Sequence, residues 1–115
     1  MYKKQYRLRR NSDYKAVYEK KNPVAAGAVV LYTLDRGDIG LPRVGFSMSR
    51  RLGNSVVRNR CKRVLREAVR SQLPYMQVGY DYVFVGRQSL TKADFAQVER
   101  DVLRVLRKKS LTVHI

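Results

Sequence analysis

The amino-acid sequence predicts a single α+β domain in which helices cover a small sheet, and three observations carry this prediction. The chain has 115 residues, the length of one ordinary domain. Apolar residues make up 44% of it, enough for one core. Helix-like and strand-like apolar patterns alternate along the chain in the order α-β-β-α-β-α.

The first half of the chain predicts one short helix and two strands. Tyr14, Val17 and Tyr18 lie at i, i+3 and i+4, so they share one face of a helix. The segments 28–34 (AVVLYTL) and 43–49 (RVGFSMS) are rich in the β-branched and aromatic residues that favour strands. Because these two strands lie close in sequence, we expect them to form a hairpin with a long connection.

The second half predicts a long helix, a third strand and a final helix. Asn54 or Ser55 is a suitable N-cap for the long helix. The segment 80–86 (YDYVFVG) reads as the third strand. Thr91 is a suitable N-cap for the last helix, whose apolar stripe continues to about Lys108.

The charge balance limits the kinds of partner. Lys and Arg number 25 against nine Asp and Glu, a net charge of +16. Self-repulsion of this size opposes a compact state, and a polyanion such as nucleic acid, an acidic protein or an acidic membrane would offset it. The sequence contains no continuous 18-residue apolar run and no signal-peptide pattern, so we expect no membrane partner and a cytoplasmic location.

The long helix concentrates this charge beside an apolar stripe. On a helical wheel Val57, Cys61 and Leu65 converge on the core side, and Arg58 and Arg60 flank them on either side. The outer side is predicted to carry Asn59, Lys62, Arg63, Arg66 and Arg70.

A ladder of like charges argues against an ordinary solvated face. Arg58, Lys62, Arg66 and Arg70 stand at successive i, i+4 positions, and each step costs roughly 0.2–0.5 kcal/mol on an isolated helix. Arginine outnumbers lysine seven to one between Arg50 and Arg70. Its planar guanidinium binds phosphate through two hydrogen bonds and stacks on bases, so the helix favours a nucleic-acid partner.

The residue types that carry protein-based nuclease chemistry are scarce. His114 is the only histidine and lies near the end of the sequence, and Cys61 belongs to the apolar stripe. The acidic residues are scattered. We therefore expect no catalytic residue, no metal site and no organic cofactor in the protein, and no small-molecule substrate.

The segment 43–70, RVGFSMSRRLGNSVVRNRCKRVLREAVR, resembles the signature of the bacterial ribonuclease P protein family. Basic residues, Gly53, Asn54 and the run Arg58-Asn59-Arg60 all occupy the positions of the family's pattern. The segment 6–21, YRLRRNSDYKAVYEKK, is similar to the family's N-terminal basic and aromatic run. The resemblance covers most of the chain and is weakest over 72–115.

The resemblance implies a fold more specific than the patterns alone predict. It is a two-layer α/β sandwich of αβββαβα order, with a central, mostly antiparallel sheet and an unusual left-handed βαβ crossover. The whole chain, 1–115, would form one RNA-binding domain. Its basic segment 1–10 is expected to be mobile in the free protein.

The resemblance also implies a function. The family's chain is the non-catalytic protein subunit of a ribonucleoprotein endonuclease, whose larger RNA subunit catalyses removal of the 5′ leader from precursor tRNA with bound Mg²⁺. Implied partners are therefore the ribonuclease P RNA and precursor tRNA. Residues implied to bind the RNA subunit are Arg50, Arg51, Asn54, Arg58, Asn59, Arg60, Lys62, Arg63, Arg66 and Arg70.

A second set is implied to hold the single-stranded leader in a cleft between the first helix and the sheet: Tyr14, Tyr18, Tyr32, Arg7 and Arg9. Aromatic stacking suits leaders of differing sequence, because every base has a face to stack. For Tyr14 and Tyr18 the alternative is that they only form the core face of an amphipathic helix.

Two other functions compete with this one. A small structural RNA-binding protein of ribosomal type would share the basic, arginine-rich composition but have no role in cleavage. A DNA-binding module is disfavoured, because a strand rather than a second helix precedes the basic helix.

Overall fold

The structure, a computed structural model, describes residues 4–109 and contains three α-helices and four strands. The helices are α1 (Asn11–Tyr18), α2 (Ser55–Arg70) and α3 (Phe95–Lys109). The strands are β1 (Val24–Ala26), β2 (Val29–Asp35), β3 (Arg43–Ser47) and β4 (Tyr80–Gly86). The element order is therefore αβββαβα, as the family resemblance implies.

The four strands form one sheet in the order β1-β2-β4-β3. β1 pairs with β2 and β2 with β4 in antiparallel fashion, and only the β3–β4 pair is parallel. The predicted hairpin between the segments 28–34 and 43–49 is wrong, because β4 lies between the corresponding strands β2 and β3. β4 is the most buried strand, with Tyr82, Val83 and Phe84 fully buried, which fits its central position with a neighbour on each side.

The two long helices cover one face of the sheet. Side chains that alternate along β2, among them Val29 and Leu31, point into this core and are fully buried. Leu65 of α2 and Val102 of α3 meet them there. α2 connects β3 to the parallel strand β4, so these elements form a βαβ unit whose left-handed crossover stays a prediction.

The short helix α1 covers the opposite face. Val17 is fully buried there against Leu8 and Val83. Half-buried aromatic and apolar side chains surround this smaller core, among them Tyr14, Tyr18 and Tyr32. Within residues 4–109, no helix is both long and apolar enough to cross a membrane.

The helix caps confirm one prediction and correct another. The side chain of Asn54 accepts a hydrogen bond from the backbone N–H of Val57 at 3.0 Å, so Asn54 is the N-cap of α2. Thr91 does not cap the last helix, because its hydroxyl donates to the carbonyl of Gln88 in a preceding 3₁₀ turn. Asp94 takes that position and accepts from the N–H of Gln97 at 2.8 Å.

Candidate RNA interface

A groove runs beside the edge strand β3, between the N-terminal segment and α2. Its central cavity, about 310 Å³, is lined by Arg7, Arg9, Tyr14, Phe46 and the α2 cations Lys62 and Arg66, among others. A cavity of about 270 Å³ continues it toward the start of α2 and shares Phe46 and Lys62 with the first. We call this pair of joined cavities the β3 groove.

The cation ladder of α2 runs beside the groove. Arg58, Lys62 and Arg66 are half-buried and line it, whereas Arg70, at the end of the ladder, is exposed and pairs with Glu67 at 3.1 Å. The helical wheel wrongly placed Lys62 and Arg66 on the outer side. Each i, i+4 step turns by only about 40°, so the ladder winds from the β3 side of the core stripe toward the outer face.

Other predicted RNA-binding residues lie around the start and outer side of α2. Asn59 lines the smaller cavity, while Arg60 and Arg63 are exposed on the far side of the helix. Arg50 and Arg51 lie exposed in the 3₁₀ turn that precedes α2. The Asn54 side-chain oxygen is occupied by its capping bond.

Arg58 carries an unusual feature at the groove. Its Nε atom is buried and has no hydrogen-bond partner among the described residues. Buried guanidinium N–H groups almost always find an acceptor, so this donor suits an incoming oxygen or nitrogen acceptor.

The N-terminal segment closes the groove on its other side. The backbone N–H of Leu8 donates to the carbonyl of Val44 at 2.9 Å, and Arg7 forms an isolated bridge with the same residue. Leu8 is buried, whereas Arg7 and Arg9 are exposed at the groove. The segment therefore extends the sheet edge and presents its arginines to the groove.

Tyr14 joins α1 to β3. Its hydroxyl accepts a hydrogen bond from the backbone N–H of Phe46 at 3.3 Å, and burial raises the pKa of the Tyr14 phenol. The ring lies directly on Gly45, because a Cβ at that position would stand only 2.5 Å from the Tyr14 hydroxyl oxygen. Tyr14 is thus both an anchor of α1 and a wall of the groove.

The other two predicted cleft tyrosines form a separate pair. The rings of Tyr18 and Tyr32 meet edge to face, with centroids 4.9 Å apart, on the face of the sheet that α1 covers. Both are half-buried, and neither lines the β3 groove. The structure therefore brings Arg7, Arg9 and Tyr14 together and places Tyr18 and Tyr32 beside α1.

Asp81 is a residue whose role sequence reasoning missed. Its carboxylate is 1% exposed and pairs with Arg36 at 2.7 Å and with Arg43 at 2.8 Å. Arg43 also approaches Asp13 of α1 at 3.9 Å. This network ties the loop after β2, the start of β3 and α1 together at one end of the sheet. The alternation of 80–86 predicts that Asp81 shares a face with Val83, which was the available signal.

The groove is lined mainly by cationic and aromatic side chains. Within residues 4–109, no three His, Cys, Asp or Glu side chains come together in a way that could hold a metal ion. Burial raises the pKa of the Cys61 thiol, which makes it a poor nucleophile. His114 lies outside the described residues. Guanidinium, ammonium and aromatic groups along one groove suit a polyanion with stacking bases.

Comparison with known proteins identifies the family. The family model for ribonuclease P matches residues 2–110. The ribonuclease P protein component of Alkaliphilus oremlandii is 37% identical over 105 residues, which cover 91% of each chain. That of Geobacillus kaustophilus is 37% identical and covers 92% of this chain and 88% of its own.

Solved structures give the same result. The Staphylococcus aureus RNase P protein has a TM-score of 0.83 and 30% identity, covering 95% of this chain and 99% of its own. The Thermotoga maritima RNase P protein has a TM-score of 0.77 and 25% identity, and the match covers 89% of this chain and 96% of that protein. The sequence match and the shared fold both extend over nearly the whole chain, which therefore belongs to the ribonuclease P family of protein subunits.

Proposed function

We propose that this chain binds the ribonuclease P RNA and the 5′ leader of precursor tRNA, and so assists RNA-catalysed removal of the leader to give the mature tRNA 5′ end. The observation that carries the proposal is the β3 groove. A half-buried row of cations on α2 forms one wall, and the arginines and Tyr14 of the N-terminal region form the other.

The RNA subunit is assigned to the start and outer side of α2. Arg50, Arg51, Arg60, Arg63 and Arg70 are exposed there, and arginine binds phosphate oxygens in pairs. Arg58 and Asn59 line the smaller cavity, and the Arg58 Nε, which has no hydrogen-bond partner within residues 4–109, would donate to an acceptor of the RNA. This distribution suits a folded RNA that lies along the outer side of α2 from its start to Arg70.

The leader is assigned to the central cavity and the neighbouring tyrosines. Arg7 and Arg9 would contact its phosphates, and Tyr14, Tyr18 and Tyr32 would contact its bases. Each base stacked on an aromatic ring contributes about 1–3 kcal/mol without demanding a particular sequence. Lys62 and Arg66 also face this cavity, so these two α2 cations can serve the leader as well as the RNA subunit.

Magnesium is assigned to the RNA subunit. The described residues hold no cluster of acidic, histidine or cysteine side chains that fits a divalent ion. The protein would instead stabilise the complex by lowering the repulsion between two polyanions. We place this activity in the cytoplasm, with which the single cysteine, Cys61, is compatible.

A structural protein of ribosomal type remains the competing function. It would use the same exposed arginines, but it gives no reason for aromatic side chains beside a groove. The family match over residues 2–110 also favours the ribonuclease P assignment.

Reconstitution tests the proposal. The purified chain is mixed with a bacterial ribonuclease P RNA and a precursor tRNA at low Mg²⁺, and leader removal is followed over time. We expect strong stimulation by the wild-type chain and by the control variant Lys92→Gln, which removes an exposed cation away from the groove. Absence of stimulation by the wild-type chain would contradict the proposal.

A further inference from the structure

The outer side of α3 carries a second basic surface, at the opposite edge of the sheet from the β3 groove. Its members are exposed cations at i, i+3 and i+4 spacings: Arg100, Arg104, Arg107 and Lys108. We call them the α3 row. Arg100, Arg104 and Arg107 form no ion pair among residues 4–109, so their charges are uncompensated by neighbours.

The acidic residues of α3 point elsewhere. Asp101 is 3% exposed, and its carboxylate accepts a hydrogen bond from the backbone N–H of Ala28 at 3.0 Å. Glu99 is half-buried on the opposite flank of the helix from Arg104. The helix thus separates its charges, with acids toward the protein and cations toward solvent.

Hydrogen bonds to β1 and to the residues just before it hold the C-terminal end of α3 beside this strand. The ammonium group of Lys108 donates to the carbonyl of Ala25 at 2.6 Å, and that of Lys109 donates to the carbonyl of Asn22. β1 is one edge strand of the sheet and β3 is the other. The α3 row therefore runs along the β1 edge, while the groove runs along the β3 edge.

The helix dipole explains only part of this pattern. Cations in the last turn are favoured there, which accounts for Arg107 and Lys108. Arg100 and Arg104 lie one to two turns earlier, where the dipole effect has faded, and the i, i+4 repulsion between them is unfavourable. A polyanion lying on this surface would offset that repulsion.

We propose that the α3 row binds the phosphate backbone of a duplex region of the ribonuclease P RNA, at a site separate from the groove. The proposal rests on the function proposed above. The row is exposed, and Phe95 at the start of α3 is that helix's only aromatic residue, so the row lacks the stacking surface that a single strand needs. Arginines spaced about 6 Å apart along a straight helix suit a regular row of phosphates instead.

We assign this surface to the RNA subunit as its binding partner, rather than to precursor tRNA. The protein measures 37 × 33 × 27 Å, so a partner that occupies both edges of the sheet must be large and folded. The leader is assigned to the other edge, and the tRNA body follows directly from it. A second contact by the RNA subunit would fix the orientation of the protein on that RNA.

The test compares Arg100→Gln/Arg104→Gln with the control Lys15→Gln/Lys92→Gln, which removes the same charge from exposed positions outside both surfaces. Equilibrium binding of each full-length chain to a bacterial ribonuclease P RNA is measured at several salt concentrations, after circular dichroism confirms folding. We expect the slope of log K against log salt to become shallower by about 1.8 for the α3 variant, because each lost phosphate contact removes about 0.9. The control should keep the wild-type slope.

The outcomes separate this inference from the proposed function. A wild-type chain that fails to bind the RNA would overturn both. Wild-type binding with an α3 variant indistinguishable from the control would overturn only the α3 proposal. An unchanged slope for the RNA, combined with weaker binding of precursor tRNA to the assembled holoenzyme, would also overturn it, because the surface would then belong to the tRNA.

Discussion

The helices α2 and α3 lie on the same face of the sheet and each carries a row of cations, but the two rows meet different surroundings. The α2 cations Arg58, Lys62 and Arg66 are half-buried beside a groove that also contains Tyr14 and Phe46. The α3 row is exposed on the outer side of its helix. In the two proposals, burial and aromatic neighbours, rather than the number of charges, distinguish the groove, which would also hold single-stranded leader, from the α3 row, which would bind only a duplex backbone.

The largest effect is expected from removing the half-buried row itself. The variant Arg58→Ala/Lys62→Ala/Arg66→Ala should bind the ribonuclease P RNA with a salt slope shallower by about 2.7, since three phosphate contacts are lost at about 0.9 each. Binding isotherms at several salt concentrations measure this slope. The matched control Lys15→Ala/Arg87→Ala/Lys92→Ala removes three exposed cations outside the groove, and equal losses in the two variants would show that only net charge matters.

Gly45→Ala should disturb the β3 edge without touching α3. The added Cβ would stand 2.5–2.7 Å from atoms of the Tyr14 ring and hydroxyl, so the Tyr14 ring must shift away from β3. Overpacking of this kind costs about 1–3 kcal/mol of unfolding free energy, which urea denaturation measures.

A double-mutant cycle tests the cause assigned to that loss. In a Tyr14→Ala background the clash is absent, so adding Gly45→Ala should cost little further stability. An equal cost in both backgrounds would show that Gly45 is required for its backbone and not for its contact with Tyr14.

Tyr18→Ala tests the aromatic part of the leader site. We expect the assembled holoenzyme to lose about 1–3 kcal/mol of binding free energy for precursor tRNA, the contribution of one stacked base. Affinity of the protein for the RNA subunit should stay at the wild-type value, and Tyr18→Phe should behave like the wild type. If Tyr18→Ala weakens both steps equally, Tyr18 acts only by packing α1 against Tyr32.

Tyr14→Phe should have the smallest effect. It keeps the ring against Gly45 and removes the hydroxyl that accepts from the N–H of Phe46, so we expect a loss of about 1 kcal/mol of unfolding free energy. Thermal or urea unfolding measures the change. A loss as large as that of Gly45→Ala would mean that the hydrogen bond, rather than ring packing, anchors α1.

Local patterns in the sequence were sufficient to predict the helices, the main strands and the apolar stripe of α2. Helical spacing predicted the buried positions Cys61 and Leu65, because periodicity depends only on neighbouring residues. The cap at Asn54 was predictable for the same reason. The family resemblance added the element order, which the local patterns left incomplete at the three-residue strand β1.

The groove was not predictable from such patterns, because it depends on which strand lies at the edge of the sheet. The strands β2 and β3 are neighbours in sequence but not in space, since β4 pairs with both. This strand order places β3 at the edge of the sheet, where the groove lies between β3 and the α2 residues Lys62 and Arg66. A helical wheel shows which residues face away from the core, but it does not show what lies beside them.

The ionic network around Asp81 was missed for a related reason. Its partners Arg36 and Arg43 are separated from it by 45 and 38 residues, so no local spacing links them. The parallel register that sets Arg43 opposite Asp81 exists only once β3 pairs with β4. The sequence showed only an acidic residue at the start of a strand. In the fold, Asp81 pairs with Arg36 of the β2–β3 loop and with Arg43, which in turn approaches Asp13 of α1.

The central claim is that the β3 groove, and not the α3 row, receives single-stranded leader RNA. The most direct measurement is an NMR titration of the isotopically labelled chain with a short single-stranded RNA of leader length. The largest amide shifts are expected at Arg7, Arg9, Tyr14, Phe46 and Lys62, which line the central cavity, with little change along Arg100–Lys108. Larger shifts along Arg100–Lys108 than along the β3 edge would contradict the account.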